Sequence, residues 1–412
     1  MLFLFPLWCL SADRGKVNMS ITVTSSVSVF VSYFSQGRLA EFANTTGSYS
    51  NSYTFNVGYP NAMTVIKAES ITDEFSLHML LQQDIDGVQK SVSTIVYPYD
   101  VWGLHYYAAS YCTSNCTSFC LITSAYYDTQ ITVVFKDTST TVDVSLMYSQ
   151  FRVENNYTVD ITLDKFQYAM LKSKQDLTGT YIMGDNPISV ICGSDFDDYT
   201  IGEQLIPISL FSKQKFSNVF QLYSTEKTNM EYLIRVMTSQ SNTSCNIADT
   251  VLQFDWMERM DKSGDFFELK IANSTMLHHI ECDHEVLVWN IVIHNNESGT
   301  MTLLPTMSQY YTTQSWYTPV VSTGVVQNLY AHKTATTFPL KYGSNAQWSL
   351  TKGCVTALLE ETTYTTTTVH NDILFFLWNI GHEHGYAFGT HIAMTFDDQA
   401  VSLLHGLQSK LT

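Results

Sequence analysis

Apolar and polar residues alternate with a period of two along most of this chain, and that pattern more than any other limits what it can fold into. It runs through Ile21 and Val23, then Val27, Val29, Val31 and Tyr33, then Ile131, Val133 and Phe135. It continues at Val142, Val144 and Leu146, and at Val159, Ile161 and Leu163. Successive side chains of a strand point to opposite faces, so each run reads as a strand with one face buried. Turn signals separate the runs: Asp128-Thr129, Asn155-Asn156, Asp185-Asn186-Pro187, Ser263-Gly264 and Asn295 to Gly299. Helical periodicity is scarce, with Phe166 to Lys174 as the one modest candidate. The expected class is therefore all-β, built from hairpins whose edges must be protected by closing into sandwiches, a barrel or propeller blades.

Phrases recur along the chain. Asn186-Pro-Ile-Ser-Val-Ile-Cys-Gly193 reads as a turn followed by a buried strand. Cys282 to Trp289, Asp73 to His78 and Asn371 to Trp378 resemble it. Pro98 to Tyr106, Pro207 to Phe216 and Pro305 to Trp316 each place a proline several residues before an aromatic. Leu121 to Ser124 followed by Asp128-Thr129 is echoed by Val236 to Ser239 followed by Asn242-Thr243. Three phrases in one order predict about four divergent copies of roughly 100 residues. Their bounds are 13–95, 96–200, 201–300 and 301–412, behind a leader over residues 1–12. That length, with roughly six strands per copy, favours tandem β-sandwich-like modules, with a β-propeller as the alternative.

Asp176-Leu-Thr-Gly-Thr180, Asn186-Pro-Ile-Ser-Val190 with Gly193, Glu203-Gln-Leu-Ile-Pro207 and Tyr232-Leu-Ile-Arg-Val236 carry a resemblance. Through them the chain resembles the N-terminal domain of the IgG Fc-binding protein family, a secreted, mucus-associated group. The similarity runs from about Thr22 to the C-terminus, and no cysteine-dense von Willebrand type D modules follow. The resemblance implies an extracellular binding or adhesive role and transfers no catalytic residues. It does not by itself transfer binding of immunoglobulin.

Composition bounds the partners. Lys and Arg total 21 against 38 Asp and Glu, a formal charge of -17, which repels phosphate backbones and anionic membrane surfaces. Nucleic acid is therefore not an expected partner. Met1-Leu-Phe-Leu-Phe-Pro-Leu-Trp-Cys-Leu-Ser-Ala12 reads as the apolar core and cleavage site of a signal peptide, although no basic residue precedes it; a buried first strand is the other reading. No later apolar run reaches the ~18 residues of a membrane span, and the tail lacks a lipid-anchor signal.

The cysteines are Cys9, Cys112, Cys116, Cys120, Cys192, Cys245, Cys282 and Cys354. Losing Cys9 with a leader leaves an odd number, hence one thiol free or paired with another chain, which opens the way to a disulfide-linked oligomer. Cys245 and Cys282 flank strands of one copy and are the preferred internal pair. Cys112, Cys116 and Cys120 could form a metal knuckle, but their spacing and an export context favour disulfides. Asn18, Asn44, Asn156, Asn242, Asn273 and Asn296 head N-glycosylation sequons; Asn115 does too, with Cys116 in its middle position.

Candidate chemistry is sparse. His382, His384 and His391 could share a zinc ion, the first two on one strand face and the third returning across a hairpin. Gly381, Gly385 and Gly389 mark a turn that would scatter them. Asp195, Asp197, Asp198 and Glu203 could offer oxygen ligands to calcium, and Asp197 with Glu203 could serve as paired glycosidase carboxylates. Ser194 follows Gly193 without the second glycine of a nucleophile elbow. The 25 Tyr and 23 Phe could line sugar-binding surfaces or fill β-cores, and Thr362 to Thr368 could carry O-glycans. The expected function is that of a secreted, disulfide-containing adhesion protein that recognises extracellular glycoproteins, such as mucins or matrix components, without catalysis or cofactor. A metal-dependent hydrolase using the histidines, and a purely structural mucus or matrix component, are the alternatives.

Overall fold

The computed structural model describes residues 2–7, 17–23, 29–35, 38–45, 51–57, 64–70, 77–85, 88–137, 139–154, 157–197 and 199–210. It further describes 219–220, 230–249, 254–271, 277–294, 298–304, 313–316, 326–333, 347–351, 354–359, 365–368, 373–380 and 387–391, by backbone alone from Thr313 onward. Antiparallel strands make up nearly all of this, and the chain divides into two compact units that meet in sequence at Leu210 and Phe211.

The first segment of the first unit holds β1 (Leu2–Leu7), β2 (Val17–Val23), β3 (Val29–Ser35), β4 (Arg38–Thr45), β5 (Asn51–Val57), β6 (Thr64–Glu69), β7 (Leu77–Ile85) and β8 (Val88–Val96). They pair as two sheets, β1-β6-β3-β4 and β5-β2-β7-β8. Leu2–Leu7, the apolar run that suggests a leader, is thus a strand, registered against β6 from Leu2 opposite Glu69 to Leu7 opposite Thr64. Phe3, Leu4 and Phe5 are at most 1% exposed, so cleavage near Ala12 would strip this core of three large side chains.

The second segment holds β9 (Gly103–Tyr107), β10 (Cys116–Ser124), β11 (Thr129–Val134), β12 (Val142–Ser145), β13 (Gln150–Val153), β14 (Thr158–Leu163), β15 (Tyr168–Ser173), β16 (Tyr181–Phe196) and β17 (Thr200–Gln204). The 16 residues of β16 serve both sheets. Its start pairs with β9 and β11, its end with β10 and β17, and the register on β9 shifts between Met183 and Ile188. Counting β16 as two strands joined, β9-β16-β11-β14 and β15-β10-β16-β17 follow the order of the first segment, with the β12–β13 hairpin added beside β15. The stretch Phe166 to Lys174, read as a modest helix, is instead largely strand β15, because Tyr168, Ala169 and Leu171 are buried between β10 and β12.

In the second unit lie β18 (Val219–Phe220), β19 (Met230–Thr238), β20 (Thr243–Asp249), β21 (Phe254–Met260), β22 (Phe266–Ile271), β23 (Leu277–Cys282), β24 (Val286–His294) and β25 (Ser298–Leu304). Their sheets, β18-β23-β20-β21 and β22-β19-β24-β25, match those of β1 to β8 strand for strand. After them come β26 (Thr313–Trp316), β27 (Val326–Lys333), β28 (Gln347–Thr351), β29 (Cys354–Leu359), β30 (Thr365–Thr368), β31 (Ile373–Ile380) and β32 (Ala387–His391). These pair as β26-β30 and β28-β29-β27-β31-β32. A propeller blade is one sheet; here each segment contributes strands to two. Boundaries at 200 and 300 would cut β17 and β25, because the last strand of each segment returns by a hairpin beside the one before it.

The likeness extends to individual turns. Ser124 Oγ and Thr129 Oγ1 are 2.7 Å apart across the β10–β11 turn, as Thr238 Oγ1 and Thr243 Oγ1 are at 2.6 Å across the β19–β20 turn. Asp128 (φ 52°) and Asn242 (φ 60°) take the left-handed corner of each, a conformation Asp and Asn tolerate. Asp185 Oδ1 accepts from Gln130 N–H at 2.9 Å, and Asp283 Oδ1 from Ser244 N–H at 2.8 Å. The structural partner of Ser124 is Thr238, one residue before the match that the two Thr-Ser phrases imply.

Within the first unit, Phe3, Leu4, Val29, Val65, Leu77 and Val96 share one apolar core with Trp102, Phe119, Leu121, Tyr168 and Ile191 of the second segment. Cystines tie the strands: Cys120 to Cys192 between β10 and β16, and Cys245 to Cys282 between β20 and β23, each directly opposite in register. Cys112 bonds to Cys116, so the three clustered cysteines form disulfides and not a metal knuckle. Cys9 lies outside the described residues, and Cys354 is described by backbone alone.

Candidate functional site

The residues that carry the family resemblance form a buried scaffold. Asp176 Oδ1 accepts from Ser110 Oγ at 2.7 Å, Thr178 N–H at 2.9 Å and Thr178 Oγ1 at 2.6 Å, while Ser110 Oγ accepts from Leu177 N–H at 2.9 Å. Gly179, at φ 84°, turns the chain so that its N–H reaches the Ala108 carbonyl at 2.9 Å. Asp176 to Thr180 is thus a clasp on the loop before β10. Ser189 Oγ accepts from Gln204 Nε2 at 2.7 Å, Gln204 N–H donates to Thr94 Oγ1 at 3.0 Å, and Gln204 Oε1 accepts from Tyr97 N–H at 2.7 Å. This is where β17 meets β8. A Cβ on Gly193 would collide with the Ile201 carbonyl, and one on Gly103 with the Pro207 ring. Arg235, buried on β19, donates its Nε–H to Glu268 Oε1 at 2.8 Å and lies 4.5 Å over the Phe266 ring.

The acidic cluster does not assemble as its spacing suggests. Asp195 accepts from Thr200 Oγ1 at 2.7 Å, Asp197 is exposed at the turn, Asp198 lies outside the described residues, and Glu203 is buried on β17. Among the described residues no group of acidic side chains is placed to hold a metal ion, and the β16–β17 register sends Asp195 and Glu203 to opposite faces. Ser194 Oγ accepts from Tyr111 N–H at 3.0 Å and is spent on structure. His382 and His384 lie outside the described residues, and His391 is placed by backbone alone, opposite Phe376.

Of the sequons, Asn242 is exposed and its Oδ1 accepts from Arg259 Nη2 at 3.0 Å. Asn115 (φ 51°) is exposed between the bonded Cys112 and Cys116. Asn18 and Asn44 are placed by backbone within β2 and β4. Asn156, Asn273 and Asn296 lie outside the described residues.

Exposed chemistry gathers elsewhere, on the outward face of β9-β16-β11-β14. Register sets its rows: Tyr107, Tyr181, Val134 and Thr158 lie side by side, then His105, Met183, Thr132 and Asp160, then Gln130 and Thr162. The inward-pointing neighbours Tyr106, Ile182, Val133 and Ile161 are buried, which fixes which side faces water. Rings occupy one half. His105 stacks on Tyr181 with centroids 5.9 Å apart and planes 9° apart, and Tyr181 Oη shares a hydrogen bond with His105 Nδ1 at 2.7 Å. Tyr107 meets Tyr181 at 5.4 Å. Burial, with Tyr107 alongside, holds the Tyr181 phenol above its ordinary range, so it stays a neutral hydroxyl at physiological pH. Polar groups occupy the other half: Thr132 Oγ1 donates to Asp160 Oδ1 at 2.7 Å, and Thr162 Oγ1 to Gln130 Oε1 at 2.9 Å. The sequence hides this face because Tyr107 and Tyr181 belong to distant stretches, brought together only when β16 crosses between sheets.

A family model described as IgGFc binding protein matches residues 92–381 of this chain. The chain belongs to that family. The match begins within β8 and covers every residue that carries the resemblance, a shorter span than the expected reach from about Thr22 to the C-terminus. No curated protein matches the chain. The IgGFc-binding family is of binding type and points to an extracellular binding protein. No helix among the described residues is long and apolar enough to cross a membrane, which leaves strand-built membrane proteins aside.

Proposed function

We propose that this IgGFc-binding family member is a secreted adhesion protein that recognises extracellular glycoproteins, mucins or matrix components among them, and leaves them chemically unchanged. One observation carries the reading: rings and hydrogen-bonding groups stand outward on a four-stranded face, while the motif residues are consumed in holding that face's framework together. Three cystines fit an oxidising, extracytoplasmic setting. The formal charge of -17 argues against nucleic acid and anionic lipid as partners. The strand order shared by the first three segments supports tandem modules near 1–96, 97–210 and 211–304, with a fourth over 305–412.

The test is binding of the purified, disulfide-intact chain to immobilised mucins, matrix glycoproteins and immunoglobulin G, the last because the family's name concerns its Fc. Saturable binding to a glycoprotein, with the ligand recovered intact, is the expected result. Cleaved ligand, with stoichiometric zinc lost on replacing His384, would establish the hydrolase instead.

A further inference from the structure

We propose that the outward face of β9-β16-β11-β14 is a binding site for a neutral oligosaccharide, one carrying no sialic acid and no sulfate. This rests on the reading of the chain as a glycoprotein-binding protein and names the part of the glycoprotein that it grips. A sugar ring presents an apolar C–H face and a rim of hydroxyls, so a site for it needs aromatic surface beside fixed donors and acceptors. Tyr107 and Tyr181 supply the surface, with their centroids 5.4 Å apart, and His105 steadies Tyr181 through their 2.7 Å hydrogen bond. Next to them, Met183 continues the apolar strip, opposite Thr132 in the register of β16 and β11. Asp160, held by Thr132 Oγ1 at 2.7 Å, presents a carboxylate suited to accept from paired sugar hydroxyls. Four strands make a platform about 14 Å across, room for more than one ring. Both halves are set on backbone that the sheet fixes, so little conformational freedom is lost on binding.

Charge selects among occupants. None of the four strands carries Lys or Arg, and Asp160 and Asp185 are the carboxylates on or beside the face. A sialylated or sulfated chain would bring its anion against those carboxylates, and the four strands offer it no Lys or Arg, the exposed Lys136 standing just past the end of β11; a neutral sugar meets no such repulsion. An acidic peptide is disfavoured on the same ground.

The test titrates the full chain with oligosaccharides released from mucin, either desialylated and desulfated or left acidic, by calorimetry. Neutral sugars should bind and acidic ones bind about tenfold weaker or not at all. Tyr107→Ala and Tyr181→Ala should each cost about tenfold or more in affinity, while Tyr148→Ala, an 80% exposed residue of the β12–β13 turn, should change nothing. Tyr181→Phe keeps the ring without the hydroxyl and should stay within about threefold of the parent, which separates stacking from loss of fold. Asp160→Asn should narrow the gap between neutral and acidic sugars. Equal binding by the parent and both alanine variants, or preference for the acidic sugars, would overturn the site. Glycoprotein binding that persists without any binding of free neutral sugar would sink this site and leave the broader reading standing; no glycoprotein binding at all would remove both.

Discussion

Tyr106 shows how much one side chain holds in this fold. Buried at 1% exposure, it donates its hydroxyl to the Ile188 carbonyl at 2.6 Å and accepts from Gly103 N–H at 3.0 Å, pinning β9 to the bend of β16. Burial drives its phenol well above the ordinary value of 10.0. A proton held more tightly in the folded state than in the unfolded one gives stability that is complete below pH 10.0 and is lost as pH rises above it. Urea unfolding should therefore give a flat stability from neutrality to about pH 10 and a decline beyond. Tyr106→Phe should lose about 1 kcal/mol at pH 8 and show a shallower alkaline decline; an unchanged alkaline slope would remove Tyr106 from the account. Gly193 is the other residue with no slack. Gly193→Ala would force a Cβ onto the Ile201 carbonyl across β17, and the predicted loss of folded protein is read directly from expression yield.

At the scale of elements, β1 and the cystines are the parts whose removal is most informative. Burying Phe3, Leu4 and Phe5 is worth about 2 kcal/mol each, so a chain starting at Asp13 behind a heterologous leader should unfold at markedly lower temperature than one starting at Met1. Equal melting temperatures would show β1 to be dispensable. The Cys245–Cys282 bond closes 37 residues and the Cys120–Cys192 bond 72, spans for which chain entropy predicts roughly 4 kcal/mol apiece. Paired Ser replacements, compared by urea midpoint, measure each. Strand content was readable because Val142, Val144, Ile161 and Leu163 alternate with exposed neighbours. The Tyr168–Ser173 strand was not, since its burial alternates from Ala169 to Ser173 while the consecutive apolar Tyr168, Ala169, Met170 and Leu171 hide that period in the sequence. The Met1–Ala12 run reads two ways for a related reason: a buried edge strand and a leader's apolar core share one composition.

For the whole molecule, the recurring Thr-Ser phrases fall on turns of like geometry, one residue out of step with the match their letters imply. Thr238 and Ser124 recur because the same hydroxyl-locked turn links two unpaired successive strands in each of two segments, and Asp185 and Asp283 because each accepts from the strand beside it. Such residues are legible in sequence because a turn is local. The candidate face was not, since Tyr107, Tyr181, Thr132 and Asp160 meet only through sheet register. Division at Leu210 and Phe211 predicts that residues 1–210, expressed alone, unfold in one cooperative transition with the Cys120–Cys192 bond intact; several separate transitions would argue that the two segments of this unit are independent. The central claim is that the chain grips glycoproteins without transforming them. Titrating the intact, disulfide-bonded chain with desialylated mucin, and then recovering the mucin, tests it most directly. The account predicts saturable binding with the mucin's glycans and peptide unchanged, and the absence of binding or the release of sugar or peptide fragments would contradict it.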